Sequence, residues 1–491
     1  MRRIVGARPD SAGNPPSERR STQQIFTAPG FARSGPRKGL HVARIAIVGT
    51  GFGGYTCAKL LERWLRPGEA EIVLITPKDY TLYLPLLPQV AGGVLQPRSI
   101  VTPLHTRLRR SKLLPGVAHQ VDLDARAVDV LRIDGEPVRV PYDVLVLAPG
   151  SMTRTFDIPG LQEYARGMKT LAEAVYLRDH SIAQLELAAS SDDPEERAAR
   201  CGFVVVGAGY SGVETAATLQ LVTRRAMARF PRLDPGLLRW TLIDIAPKVM
   251  PELGPELGEA ATRLLEERGV EVRLGVTLDR ITVDTAKLTD GTTLPSRTVI
   301  WTAGVTPRPV VSSLGTETVK GRLVVGADLR VPGCDGVFGL GDAAAVPDLT
   351  AEPGTPCAPT AQHAHRQART AARNVLAALR GGKLREYRHR DLGLVVDLGG
   401  SDAVARPFGI DLKGPLAQLV TRGYHLLTTP SGRSRLRVSG DWLLNMMAPD
   451  DLIRLDFLKD TPGTLEDLEH MPITPRARRI SVTEEPAGSR R

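Results

Sequence analysis

Apolar positions in this chain fall in short runs separated by glycine turns and by stretches with helical spacing. The first run, residues 45–48, leads into Gly49-Thr50-Gly51-Phe52-Gly53-Gly54, and Ala58, Leu61 and Leu65 follow at helical spacing. Residues 72–75 read as a second strand. Segment 123–147 holds two or three short strands, ending in 144–147 and the turn Ala148-Pro149-Gly150. After a polar connector, 190–200, the pattern restarts with a strand at 203–206, the turn Gly207-Ala208-Gly209-Tyr210-Ser211-Gly212 and a helix over 213–222. A strand at 240–245, a helix over 256–268 and a strand at 270–274 come next, and 298–301 leads to Ala303-Gly304. Strands alternating with helices predict an α/β chain with parallel, doubly wound sheets.

Stretches 44–62 and 202–220 align without a gap, so the chain carries one strand–glycine turn–helix unit twice. A lone GxGxxG says little, but each copy here follows an apolar strand and opens a helix. In such a turn the first glycine (Gly49, Gly207) allows the tight bend and the second (Gly51, Gly209) lets backbone approach a pyrophosphate. The third (Gly54, Gly212) lets helix pack on strand, while Phe52 opens the first helix, whose free N–H groups favour anions. Two Rossmann-like dinucleotide-binding units are therefore expected. The second strand of each unit should end in an acid for ribose hydroxyls. Asp244 stands there in the second unit and favours NADH over NADPH, with Lys248 close by. The first unit has Thr76-Pro77-Lys78 instead, a hydroxyl for the ribose and a lysine for phosphate.

Charge and composition narrow the partners. The formal charge of +10 favours anionic partners, but aromatics are only 4% and no zinc-finger or RRM-like spacing is present, so nucleic acid is not expected. Four cysteines, none near another in sequence, give no CxxC pair and no metal-ligand pattern. Cys57 and Cys201 read as buried thiols. No apolar run approaches the roughly 20 residues of a spanning helix. Residues 1–41, with eight Lys/Arg against two acids, read as a disordered basic tail.

Residues 322–345 feed two strands into Gly341-Asp342-Ala343-Ala344, which resembles the second FAD fingerprint of two-dinucleotide flavoprotein reductases. The chain resembles most the type II, non-proton-pumping NADH:quinone dehydrogenases of that superfamily, over about 44–458. Further stretches carry the likeness: Tyr83-Leu84-Pro85-Leu86-Leu87-Pro88-Gln89-Val90-Ala91 (an apolar loop beside the flavin), 207–214, Trp301-Thr302-Ala303-Gly304 (a loop contacting NADH) and Pro359-Thr360-Ala361-Gln362-His363-Ala364-His365-Arg366-Gln367 (the flavin–quinone junction). Asp157-Ile158-Pro159-Gly160 resembles the crossing into the NADH domain. The resemblance implies FAD and NADH as cofactors, a quinone as acceptor and Asp342 on the ribityl chain, with the following helix pointing its N-terminus at the flavin phosphate. It also implies Ala148, Gly150 and Ala343 as further FAD contacts, and Ala303 and Gly304 as NADH contacts. Glu214 is the candidate to influence proton transfer, Gln362 the candidate quinone contact. Arg366 stands where paired glutamines are usual and is a candidate for an anionic or reduced acceptor. His363 and His365 are expected as exposed helix residues.

The implied organisation is a tail (1–41), a first FAD-binding segment (42–160), an inserted NADH-binding domain (161–321), a second FAD-binding segment (322–400), an interfacial or dimerisation region (401–460) and a disordered tail (461–491). Within 412–448, Leu416, Leu419, Val420, Tyr424 and Leu427 fall at helical spacing and Trp442-Leu443-Leu444 with Met446-Met447 form a second apolar cluster. Five Lys/Arg accompany one acid there, which suits an anionic membrane surface, peripherally and on the cytoplasmic face. Packing on the FAD domain or a homodimer interface is the competing use of the same residues. A soluble NADH diaphorase or ferredoxin-type reductase and a sensing flavoprotein stay open as alternatives. A sulfide:quinone oxidoreductase would need redox cysteines that region 150–170 lacks.

Overall fold

A computed structural model of the protein describes residues 42–448, 452–456, 458, 461 and 463–465. The basic tail 1–41 and nearly all of 461–491 lie outside the described residues.

The first sheet has seven strands in the order Val337–Gly339, Val144–Leu147, Ala43–Val48, Ala70–Thr76, Ser111–Asp122, Ala127–Arg132, Pro137–Pro141. The first five run parallel and the last two turn back as an antiparallel meander. Residues 45–48 and 144–147 are buried throughout, as expected of strands covered on both faces. Helices Phe52–Trp64 and Ala361–Arg380 pack against each other and onto this sheet.

A second, all-parallel sheet has the order Ala165–Arg166, Thr298–Trp301, Gly202–Val206, Arg239–Asp244, Val270–Leu274. Phe203 and Trp240 stack in its core with ring centroids 4.6 Å apart, and the indole N–H of Trp240 donates to Thr223 Oγ1 at 3.0 Å. The chain passes between the sheets on two antiparallel strands, Ser151–Thr153 and Val305–Pro307, with Thr153 opposite Val305. Just beyond the first of these, Gly160 adopts φ 82° as it opens helix Leu161–Tyr164; a Cβ there would lie 2.1 Å from the carbonyl oxygen of Ile281.

Several elements were not read from the apolar pattern, among them helix Leu171–Ser190, and two show why. The connector 190–200 contains helix Pro194–Cys201, made by end signals rather than apolar period: Asp193 caps it, Pro194 opens it, and Glu195 and Glu196 occupy its first turn. The twelve-residue strand Ser111–Asp122 does not stand out in the apolar pattern. Pro115 and Gly116 interrupt it, yet Gly116 is needed, because a Cβ there would lie 2.7 Å from the carbonyl oxygen of Leu131 on the next strand.

A three-stranded sheet, Val395–Asp397, Ala403–Ala405 and Leu412–Lys413, carries helix Gly414–Thr428, and helix Gly432–Met447 packs on that helix and on the 97–101 segment, where Asp441 accepts from Ser99 Oγ and Ser434 Oγ donates to Val101 O. Both helices are inside-out. The first buries Ala417, Gln418, Thr421 and His425, the second Ser434 and Val438. Leu419 is 69% exposed, Leu436 75%, and Leu416, Leu427, Leu443, Leu444, Met446 and Met447 also face outward. No helix among the described residues is long and apolar enough to cross a membrane.

Candidate dinucleotide and electron-transfer site

The two glycine loops share one set of backbone bonds. Gly49 N donates to Ile75 O at 2.9 Å and Gly207 N to Ile243 O at 2.8 Å. On the other flank, Ala148 N donates to Val48 O at 3.0 Å and Thr302 N to Val206 O at 2.8 Å. Thr76 is therefore the counterpart of Asp244, and Gly150 (φ 73°) that of Gly304 (φ 96°), with Ala303 just before it. Gly49 and Gly207 have φ 89° and 108°, where an L-residue is strained. A Cβ on Gly54 would lie 1.9 Å from Gly49 O, and one on Gly212 1.8 Å from Gly207 O. At Gly51 and Gly209 a Cβ would meet nothing within 4 Å. These two glycines are thus not demanded by the protein's own packing; they keep an open cradle. Helices Phe52–Trp64 and Tyr210–Met227 start with no side-chain cap, which leaves N–H groups for a phosphate. The residues present fit two dinucleotides.

The strand ends differ. Asp244 accepts from Ala208 N at 2.5 Å through Oδ2 and from Ala246 N at 2.7 Å through Oδ1, which fixes a carboxylate beside the second loop. Buried Thr76 meets Thr50 through a hydroxyl–hydroxyl bond of 3.0 Å. After Pro77, the Lys78 ammonium lies 5.8 Å from the Tyr80 ring. Phe52 packs edge-on to Tyr83 at 5.6 Å.

The Gly341–Ala343 turn follows strand Val337–Gly339, which pairs with Val144–Leu147 in the first sheet. Gly341 N donates to Gln367 Oε1 at 2.8 Å, so the glutamine that follows Arg366 ties helix Ala361–Arg380 to this turn. That helix starts eighteen residues after Ala343, beyond a loop, rather than directly. Asp342 accepts from Ser151 Oγ at 2.6 Å, and Lys169 Nζ donates to the same hydroxyl at 2.9 Å.

Glu214 is buried in helix Tyr210–Met227, and its Oε1 accepts from Asp397 N at 3.0 Å. Burial, then the Asp397 charge, raise its pKa well above the usual carboxylate value. Asp397 is itself buried and raised, chiefly by desolvation. Its carboxylate accepts from Gln89 Nε2 at 2.6 Å, Gln418 Nε2 at 3.2 Å and Gly399 N at 2.7 Å. Gln89 Oε1 in turn accepts from Trp442 Nε1 at 2.7 Å. Trp442, part of the apolar cluster for which the sequence left both membrane contact and inward packing open, is half-buried and turned inward, with the Arg422 guanidinium 5.5 Å from its ring. A cavity of about 50 Å³ lies against Gln89, Asp397 and Gln418.

Gln362 donates from Nε2 to Gly393 O at 2.8 Å. Arg366 donates to the Arg390 carbonyl and lies 3.5 Å from His389 Nδ1, so one side of its guanidinium is engaged with the 383–393 segment. His365 is exposed, as expected. His363 is not: it is buried against His389 with ring centroids 4.0 Å apart, and its Nδ1 meets Tyr387 OH at 3.1 Å. Burial, then the His389 charge, pull its pKa down to about 4. Its side of the helix packs on the 383–393 segment, which helical spacing does not disclose. Cys57 and Cys201 are buried free thiols, as expected.

Sequence reasoning missed Asp397, Gln418, Ser151 and Lys169, which act across long sequence separations. A signal existed only for Asp397, an acid inside an otherwise apolar strand pattern.

Residues 43–368 match the family model described as pyridine nucleotide-disulphide oxidoreductase, and the chain belongs to that family. The type II NADH:quinone oxidoreductase Ndh of Mycobacterium tuberculosis is 32% identical over 426 residues, 82% of this chain and 88% of that protein. Demethylphylloquinone reductase NdbB of Synechocystis is 30% identical over 429 residues, covering 86% and 98%. NDH2 from Plasmodium falciparum, solved in complex with NADH, shares the fold with a TM-score of 0.76 at 18% identity, over 84% of this chain and 100% of that one. Within the family, this chain is a member of the type II NADH:quinone oxidoreductase group.

Proposed function

We infer that the protein oxidises NADH and reduces a quinone. The observation that carries this reading is the pair of glycine cradles with matching backbone bonds, only one of which ends in a carboxylate. The 207–212 loop and Asp244 hold NADH, whose ribose hydroxyls suit the carboxylate and whose 2′-phosphorylated relative is repelled by it. The 49–54 loop, Thr76, Pro77, Lys78, Ala148, Gly150 and the 341–343 turn hold FAD. When bound there, FAD supplies the two-electron acceptor for hydride and the donor to quinone.

The protein contributes position and protons. Glu214, two residues past the last glycine of the second cradle, has its pKa raised by burial, which favours the protonated form and suits it to proton transfer. The bonded series Glu214, Asp397, Gln89, Trp442 runs from that point to the C-terminal helices. Quinone reduction consumes protons, and this buried series positions carboxyl groups to provide them. Gln362, fixed to Gly393, orients the acceptor.

The inside-out helices support peripheral docking on a membrane. Their exposed leucines and methionines stand with Lys413, Arg433 and Arg437, which suits an anionic lipid surface at the cytoplasmic face. Co-sedimentation with anionic vesicles tests this. Leu419→Gln with Leu436→Gln should weaken binding at least tenfold, since burying each leucine is worth about 1.5–3 kcal/mol. Loss of vesicle binding only at high salt, with no effect of the leucines, would reduce the contact to charge. The primary test is anaerobic: NADH, and not NADPH, should bleach the flavin absorbance, and a short-chain quinone should restore it. Bleaching without restoration leaves a dehydrogenase for another acceptor.

A further inference from the structure

The second sheet has a polar cavity of about 130 Å³ at the end opposite its glycine loop. It is lined by Arg166, Arg200 and Arg297, with Gln184 and Ser296 beside them. Arg200 and Arg297 stand just before strands Gly202–Val206 and Thr298–Trp301, and Arg166 lies on the edge strand next to the latter. One strand length, roughly 15 Å, separates this cavity from the nucleotide end of the sheet.

Two of the three guanidinium groups share one carboxylate here. Glu196 Oε1 lies 2.6 Å from Arg200 Nη2 and 3.5 Å from Arg297 Nη2. Arg200 Nη1 also donates to Gln184 Oε1 at 3.0 Å. Among the described residues Arg166 meets no carboxylate; its Nη1 donates to the carbonyls of Tyr164 at 2.8 Å and Arg297 at 3.4 Å, and its guanidinium lies 5.8 Å from the Tyr176 ring. The Nε atoms of Arg166 and Arg297 are both shut off from solvent and have no acceptor. A guanidinium does not readily shed its proton, and a buried donor without an acceptor is costly. Those two Nε atoms are closed off from the cavity as well; the charge on its wall is what counts, three guanidinium groups with Glu196 already engaged by two of them, and that excess of positive charge suits an anion.

We propose that this cavity is a binding site for a compact divalent oxyanion, a phosphate group. Its size admits phosphate but not a whole nucleotide, so the source is inorganic phosphate or the end of a small phosphomonoester. The bound anion accepts from Arg166 and Arg297 and thereby ties the edge strand Ala165–Arg166 to the start of Thr298–Trp301.

The test uses the full-length holoprotein with NAD⁺ saturating its nucleotide loop, so that phosphate cannot register there. Inorganic phosphate and glycerol phosphate are titrated separately against chloride at matched ionic strength, by calorimetry and by melting temperature. Saturable binding with a rise of about 3 °C is expected. Arg166→Gln and Arg297→Gln should each weaken it at least tenfold while flavin content and KM for NADH stay unchanged. Arg166→Lys, which keeps the charge but loses the fork, should fall between. Preference for glycerol phosphate would assign the source as a phosphomonoester, the reverse as the free ion. No saturable binding to the wild-type protein, or equal binding by folded variants that retain flavin, overturns the proposal.

Discussion

The two glycine loops are copies in backbone and unlike in chemistry. Each ties its first glycine to the neighbouring strand and its flank to the third, and each buries its third glycine against a carbonyl oxygen. Where the second copy ends in Asp244, which accepts from the loop's own Ala208 N–H, the first ends in Thr76, bonded to Thr50. The first copy also gains a third contributor, the turn at Asp342 held by Ser151 and Lys169. Glu214 marks a further divergence: the helix of the second copy carries a buried acid where the helix of the first has Thr56. Under the proposed function, one backbone plan serves a retained cofactor in one copy and an exchanging, charged substrate in the other.

The largest break in this symmetry comes from the third glycines. Gly212→Ala puts a Cβ 1.8 Å from the Gly207 carbonyl oxygen and should cut NADH oxidation about 100-fold or more while flavin stays bound. Gly54→Ala, at 1.9 Å from the Gly49 carbonyl oxygen, should instead lose flavin on purification. Flavin-to-protein absorbance and steady-state NADH oxidation read both, and the opposite pattern would exchange the two loops' nucleotides.

Next in size is the strand-end residue. Asp244→Thr makes the second copy resemble the first and should lower kcat/KM for NADH roughly 10–100-fold, the worth of a charged hydrogen bond, while narrowing the gap to NADPH. An unchanged NADH-to-NADPH ratio would leave Asp244 as a brace for Ala208 N alone.

The smallest effect is the pH dependence of the acid that only the second copy carries. Burial raises the Glu214 pKa, so its contribution to stability is fully present below the unfolded carboxylate value of about 4.3 and is lost as pH rises through the folded value. Glu214→Gln should flatten that decline in melting temperature, and it should also flatten the fall in quinone reduction over the same pH range. Asp397→Asn keeps the shape of the side chain and removes the neighbouring charge, which should lower the pH at which Glu214 ionises. A pH profile unchanged by either substitution would remove both acids from proton supply.

The cradles and their order were legible from the sequence because a glycine turn after an apolar strand is a local backbone requirement. Gly49, Gly54, Gly207 and Gly212 each answer to atoms that the same strand–turn–helix unit or its adjacent strand supplies. The 412–448 helices were legible as helices with apolar stripes. Which stripe faces out depended on what lies beneath them, the sheet of residues 395–413 under the first and the 97–101 segment under the second, and Trp442 takes the inward packing that the sequence had left open. What the tertiary structure alone decided was the partnership of distant polar groups. Glu214 with Asp397, Gln89 with Trp442, Asp342 with Ser151, and Arg166 with Arg297 come from segments separated by many residues. Sequence records the demand of each such group for a partner, because a buried charge or amide must be satisfied. It does not record which partner, since that is fixed by how the two sheets and the C-terminal helices pack.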